Sequence, residues 1–136
     1  MLSSSIEETI LFGKQFAERL QPGDVVCLDG DLGAGKTHFV KGIASFFVVD
    51  PTEVSSPTFT LINEYHGSVS LYHFDCYRIK NEQEALEIGT EDYLYGDGIS
   101  VVEWPEKIRN LLPPKSVWVN ISHKGEHERE ILIESD

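Results

Sequence analysis

The sequence predicts an α/β fold: a central parallel sheet extended by antiparallel hairpins, with helices on both faces. Three observations predict it. Apolar runs of strand length alternate with amphipathic runs of helix length, as βα units around a parallel centre require. Two pairs of alternating runs, 59–65 with 69–75 and 116–122 with 129–133, are joined by polar linkers and read as hairpins. The third is Gly30-Asp31-Leu32-Gly33-Ala34-Gly35-Lys36-Thr37, set between the apolar runs Val25–Leu28 and Phe39–Ala44. That order is strand, glycine loop, helix.

The spacing Gly, four residues, Gly-Lys-Thr has a specific chemistry. Backbone N–H groups of Gly33, Ala34 and Gly35 can wrap an anion, and the following helix adds the positive end of its dipole. Lys36 reaches the β- and γ-phosphates of a nucleotide, and the Thr37 hydroxyl can ligate Mg²⁺. The pattern is that of a P-loop NTPase binding a nucleoside triphosphate.

In chain order, residues 5–20 predict an amphipathic helix. Ser4 and Ser5 each have a glutamate three residues on, so either can open a capping box. Ile6, Ile10 and Ala17 share one face, widened by Phe12, Phe16 and Leu20. Thr9 within this helix reads, on pattern alone, as a solvated polar residue. Gln21-Pro22-Gly23-Asp24 turns the chain into the strand 25–29. After the glycine loop a helix is expected over about 35–47, ended by Asp50-Pro51. The polar loop Ser55-Ser56-Pro57-Thr58-Phe59 follows, and Thr58 is a candidate to face the γ-phosphate or else to bond its own backbone.

Two apolar strands end in a carboxylate, each a candidate to face the metal opposite the glycine loop. One runs Leu71-Tyr72-His73-Phe74-Asp75, the other Ile99-Ser100-Val101-Val102-Glu103. Spacing favours Glu103 as the metal-facing acid, because its strand is the more uniformly β-branched. The 71–75 strand reads as the outer member of its hairpin. Between the two, 81–95 predicts short helical turns with an acidic outer face, and Pro105 opens a further helix that Pro113-Pro114 ends.

The totals bound the function. Residues 1–136 make a single domain, and a net charge of −12 disfavours direct, non-specific nucleic-acid binding. Any RNA involvement is therefore expected to pass through another protein. Cys27 and Cys76 lie in apolar runs without a Cys-x-x-Cys pair, and His123 and His127 have no second ligand pair, so neither disulfide nor zinc is indicated. Without a signal-like N-terminus or membrane-length apolar run, a cytoplasmic location is expected. Asn-Lys-x-Asp and Asp-x-x-Gly, which a GTPase needs, do not occur. Arg19, Arg78, Arg109 and Arg129 are the only arginines and form no cluster, which argues against the arginine-rich lid of a small-molecule kinase. What remains is a minimal ATPase or ATP-dependent switch.

Beyond the glycine loop, the chain carries Ser56-Pro57-Thr58-Phe59-Thr60, His73-Phe74-Asp75-Cys76-Tyr77-Arg78 and Val102-Glu103-Trp104-Pro105 in that order. Together with the loop these strings resemble the TsaE (formerly YjeE) family, small bacterial ATPases of tRNA threonylcarbamoyladenosine synthesis. The resemblance spans the chain from the Thr9 helix to Arg129. It implies an Mg²⁺-dependent ATPase that works with TsaD and TsaB, while TsaC makes the activated threonylcarbamoyl-adenylate. Adenosine 37 of tRNAs reading codons that begin with A is the modified base. In that family the ATPase does not carry out the transfer but resets the TsaB–TsaD complex between cycles.

The resemblance also implies Thr37 and Glu103 as Mg²⁺ ligands, and Thr9 and Arg129 as contacts to the nucleotide outside its phosphates. Asp75 and Thr58 match positions near the γ-phosphate, and either Asp75 or Glu103 orients the attacking water. Two departures stand out. Ser45–Asp50 lacks the Leu-Gly turn expected after the loop helix, and His38 stands where a smaller or aliphatic side chain is expected. The alternatives are a small-molecule kinase using the His73–Arg78 segment, and an adaptor that senses ATP without hydrolysing it.

Overall fold

The computed structural model describes residues 1–30, 35–49 and 62–134. They form β1 (Leu2–Ser3), α1 (Ile6–Ala17), β2 (Val25–Gly30), α2 (Lys36–Phe46), β3 (Ile62–His66), β4 (Ser70–Asp75), α3 (Glu82–Glu87), α4 (Thr90–Leu94) and β5 (Ile99–Glu103). A 3₁₀ segment Pro105–Leu111, β6 (Val117–His123) and β7 (Arg129–Glu134) complete them. The sheet order is β1-β7-β6-β2-β5-β4-β3. Pairing is parallel for β6/β2, β2/β5 and β5/β4, and antiparallel for β1/β7, β7/β6 and β4/β3. The parallel centre with hairpin flanks is as expected.

Strand alternation builds two cores, one on each face of the sheet. Val26 and Leu28 of β2, with Val101 and Val119, pack against Phe16, Ala17, Phe39, Val40 and Ile43 of α1 and α2. Val25 and Cys27, with Phe74 and Val102, pack against Ala85, Leu94 and Ile108 from α3, α4 and the 3₁₀ segment. Both faces are therefore covered by helices, which is why the central strands read as unbroken apolar runs. No helix among the described residues is long and apolar enough to cross a membrane.

Local chemistry sets the boundaries. Ser5 is the cap of α1, its Oγ accepting from Glu8 N–H at 3.1 Å, while Glu8 turns back to the Ser4 backbone N–H at 2.8 Å. The helix ends at Ala17, earlier than the expected 20, because residues 18–20 continue as tight turns bonded to Gln15, Phe16 and Ala17 carbonyls. At the end of α2, where a Leu-Gly turn is missing, Val48 takes the left-handed conformation itself, at φ 65°. Val48 N–H bonds Ser45 O at 3.1 Å and Val49 N–H bonds Ala44 O at 2.9 Å, a Schellman closure with a valine in the glycine position.

Two expectations need correction. The 71–75 strand is not the outer member of its hairpin: β4 lies between β5 and β3, paired in parallel with β5. The segment after Pro105 is a 3₁₀ turn rather than an α-helix, since Trp104 before it is left-handed (φ 58°) and Ile108 breaks helical geometry. Glu82, on the expected acidic outer face, also accepts from the backbone and side-chain N–H groups of Asn110 at 2.8 and 3.0 Å. The short β1 adds a strand that no sequence pattern marks. Residues 50–61, with the Asp50-Pro51 stop and Thr58, lie outside the described residues.

Candidate functional site

The carboxyl ends of the parallel strands gather the expected groups, the place where open α/β sheets bind ligands. β2 delivers Gly30, with φ 149° and so close to β6 that a Cβ there would sit 2.0 Å from Ile121 O. Only glycine fits. Gly35, at φ 95°, caps α2 in the left-handed region. Between them Asp31, Leu32, Gly33 and Ala34 lie outside the described residues, so the loop is defined here by its two ends.

Lys36 opens α2 yet is only 5% exposed. Its Nζ donates to Gly30 O at 3.1 Å and lies 4.3 Å from the Trp104 ring centroid. The ammonium is held by a carbonyl and an aromatic face, both of which a phosphate can outcompete. Trp104 is itself pinned against Tyr77, ring centroids 5.0 Å apart. Its left-handed backbone is what turns the indole from the end of β5 toward Lys36. Thr37, half-buried, follows in the first turn of α2.

Asp75 and Glu103 are register partners at the ends of β4 and β5. Both alternate with residues of the α1/α2 core, Leu71 and Ile99 with Val101, so both carboxylates stand on the same face as α2. Asp75 is held above its ordinary carboxylate range, chiefly by desolvation and also by the Glu103 charge; the Tyr77 N–H, at 3.0 Å, and the nearby His73 and Lys36 pull the other way. Glu103, 5% exposed, meets His73 instead: Nε2 to Oε2 is 2.5 Å, with His73 fully buried. The histidine as partner of the second carboxylate is a residue that pattern reading missed. Its signal was the His-x-Asp spacing, which places His73 and Asp75 on one face.

The remaining expected residues, Thr9 and Arg129, meet on the other side of α2. A cleft of about 330 Å³ is lined by Ser4, Thr9, Gly35, His38, His127 and Arg129, among others. Thr9 is not solvated; it is 3% exposed, its Oγ1 sharing a hydrogen bond with Ser3 Oγ at 2.7 Å and donating to Ser5 O at 3.2 Å. Its methyl lies 4.0 Å from where a Cβ of Gly35 would be, so the cleft reaches the N-terminus of α2. Arg129 enters from β7, donating to Glu128 O at 3.1 Å. His38, the unexpected residue after Thr37, lines the same cleft and is held below its ordinary range by desolvation, then by Lys41 and Arg129.

Three comparisons bear on this arrangement. Residues 3–131 match the family model described as threonylcarbamoyl adenosine biosynthesis protein TsaE. The chain is 39% identical over 132 residues to the tRNA threonylcarbamoyladenosine biosynthesis protein TsaE of Treponema pallidum, covering 97% of each chain. To the protein of the same name from Bacillus subtilis it is 44% identical over 128 residues, 93% of this chain and 79% of that one. The crystal structure of YdiB from Bacillus subtilis superposes with a TM-score of 0.81 at 37% identity, covering 99% of this chain and 83% of the other. A match over nearly the whole length agrees with the glycine loop, the His73–Arg78 string and the Glu103–Trp104 pair, and the chain belongs to the TsaE family.

Proposed function

We propose that the chain is an Mg²⁺-dependent ATPase, the accessory switch of a TsaB–TsaD complex that threonylcarbamoylates adenosine 37 of tRNAs reading codons that begin with A. The observation that carries this reading is the convergence at the ends of β2, β4 and β5. A pre-placed lysine bonded to Gly30, the residue that opens the glycine motif, and two carboxylates in register meet there. Such a set suits phosphoryl transfer to water, in which catalysis is positioning plus electrostatics.

The donor set fits Mg²⁺. Thr37 and Glu103 offer hard oxygen ligands, and no three metal-ligating side chains converge among the described residues. Mg²⁺ needs no such cage, since it keeps waters and takes phosphate oxygens as ligands. Bound there, it neutralises charge building on the β- and γ-phosphates. Lys36 exchanges the Gly30 carbonyl for phosphate oxygens. Gly33, Ala34 and Gly35 supply backbone N–H groups. Asp75, with its raised proton affinity, is assigned to orient the attacking water, and Thr58 to the γ-phosphate side. Thr9 and Arg129 hold the nucleoside in the cleft.

Two of the four arginines are engaged on aromatic rings: Arg19 stacks on Phe16 at 5.5 Å and Arg109 on Trp118 at 5.1 Å, so neither serves as a finger on the transferring phosphate. With no arginine cluster in the sequence to act as a built-in finger, hydrolysis by the chain alone is expected to be slow and to rise with TsaB–TsaD. The test is phosphate release from ATP with the chain alone, with TsaB–TsaD, and with EDTA, alongside modification of tRNA. Stimulation by the complex and loss with EDTA are expected. Fast release unaffected by the complex, or label moving from ATP to a small metabolite, would sink the switch. Intact ATP in every arm would leave a binding adaptor.

A further inference from the structure

We infer that His73 is a positioning residue for Glu103, fixing the orientation in which its carboxylate meets Mg²⁺; this rests on the proposed reading of Glu103 as a ligand. Three observations converge. His73 sits two residues before the Asp75–Glu103 pair, on β4 and on the same face, with its neighbour across the ladder being Val101, so its ring reaches diagonally to Glu103. The side chain is fully buried and its Nε2 meets Oε2 at 2.5 Å, a contact that engages one lone pair of that oxygen and fixes the orientation of the carboxylate. Nδ1 is buried and has no hydrogen-bond partner among the described residues. A proton on Nδ1 would be a buried donor without an acceptor, whereas a lone pair there is tolerated better. The proton therefore belongs on Nε2, donated to Glu103. The Tyr65 ring lies beside that of His73, centroids 6.2 Å apart.

A core-filling histidine would give the same burial but no effect on metal use. A ligand-orienting one does affect it: partners that hold a metal's ligands change affinity or activity by about 10–100-fold when removed. The experiment compares the full chain with His73→Leu, which keeps bulk and loses the donor, and His73→Gln, which retains an amide N–H. For His73→Leu we expect nucleotide affinity in EDTA within about 2-fold of the parent. The Mg²⁺ concentration for half-maximal hydrolysis should rise at least 10-fold, with kcat falling more than KM changes. His73→Gln should recover most of both.

An unchanged Mg²⁺ midpoint in His73→Leu, or a His73→Gln variant no better than His73→Leu, overturns the inference. Should His73→Leu not fold, the native protein carries the test. Nitrogen NMR must show the proton on Nε2, and that resonance must shift with Mg²⁺–nucleotide but not with nucleotide alone. An Nδ1 tautomer, or no shift, overturns it as well. If the parent chain itself shows no Mg²⁺-dependent binding or hydrolysis, the proposed function fails first and takes this inference with it.

Discussion

Replacing Val48 with glycine should stabilise the protein. Val48 occupies the position after α2 that glycine ordinarily fills, at φ 65°, and its side chain is 77% exposed. A left-handed residue with a Cβ costs about 1–2 kcal/mol, and a β-branched one sits at the upper end. Glycine removes that strain. Against this, glycine frees the unfolded chain by about 0.7 kcal/mol. Stripping a side chain that is about a quarter covered loses about 0.4 kcal/mol of burial. The net gain is about 1 kcal/mol, or roughly 3–5 °C in Tm for a domain of this size. Backbone bonds from Val48 and Val49 to Ser45 and Ala44 are unaffected, since both are N–H donors that glycine preserves or leaves in place. Thermal unfolding by circular dichroism of the parent, Val48→Gly and Val48→Ala tests it. Alanine keeps a Cβ and should fall between the other two. If Val48→Gly melts at or below the parent, the left-handed closure of α2 is refuted.

Gly30→Ala should act in the opposite direction: a methyl 2.0 Å from Ile121 O, added to a positive φ, costs about 3 kcal/mol or more, read as a fall in the urea midpoint. Lys36→Ala removes the buried ammonium and should abolish both ATP hydrolysis and ATP-dependent support of tRNA modification, while melting within a few degrees of the parent. The thiols of Cys27 and Cys76 are pushed up to about 12 by burial, from an ordinary value of 9.0. Their thiolates thus form more readily in the unfolded chain, so stability that is whole below pH 9 should decline between pH 9 and 12. Denaturation curves across that range should steepen in loss for the parent and flatten for Cys27→Ala.

What was legible in the sequence was what is decided locally. The strand and helix that flank the glycine loop, the two strand-end carboxylates and the hairpins are each written in short contiguous stretches, and β2, α2, β4, β5 and the β3/β4 and β6/β7 pairs stand where expected. The place of β4 was not legible. A hairpin specifies one neighbour of each strand, and the other neighbour depends on which crossover docks where; β4 found β5, and this brings Asp75 level with Glu103. Likewise His73 looked like one more strand residue because its partner lies thirty positions away. Trp104 was visible as a residue, but its left-handed backbone, which aims the ring at Lys36, belongs to no local pattern.

The cleft proposed to hold the nucleoside shows the same limit at its sharpest. Thr9 and Arg129 are 120 positions apart, and helical spacing says nothing of a serine–threonine contact. The link is β1, two residues long and far below any periodicity signal. Ser3 is the register partner of Arg129, and the same Ser3 shares a hydrogen bond with Thr9 at 2.7 Å. One short strand thus fixes both contacts of the cleft relative to each other, since its backbone is tied to β7 and its side chain to α1. Ser3→Ala keeps the backbone pairing and removes only the tie to α1. It should therefore weaken nucleotide binding by a few-fold with little change in Tm, as measured by titration with ATP; a large loss of stability with unchanged affinity would show that Ser3 serves packing alone.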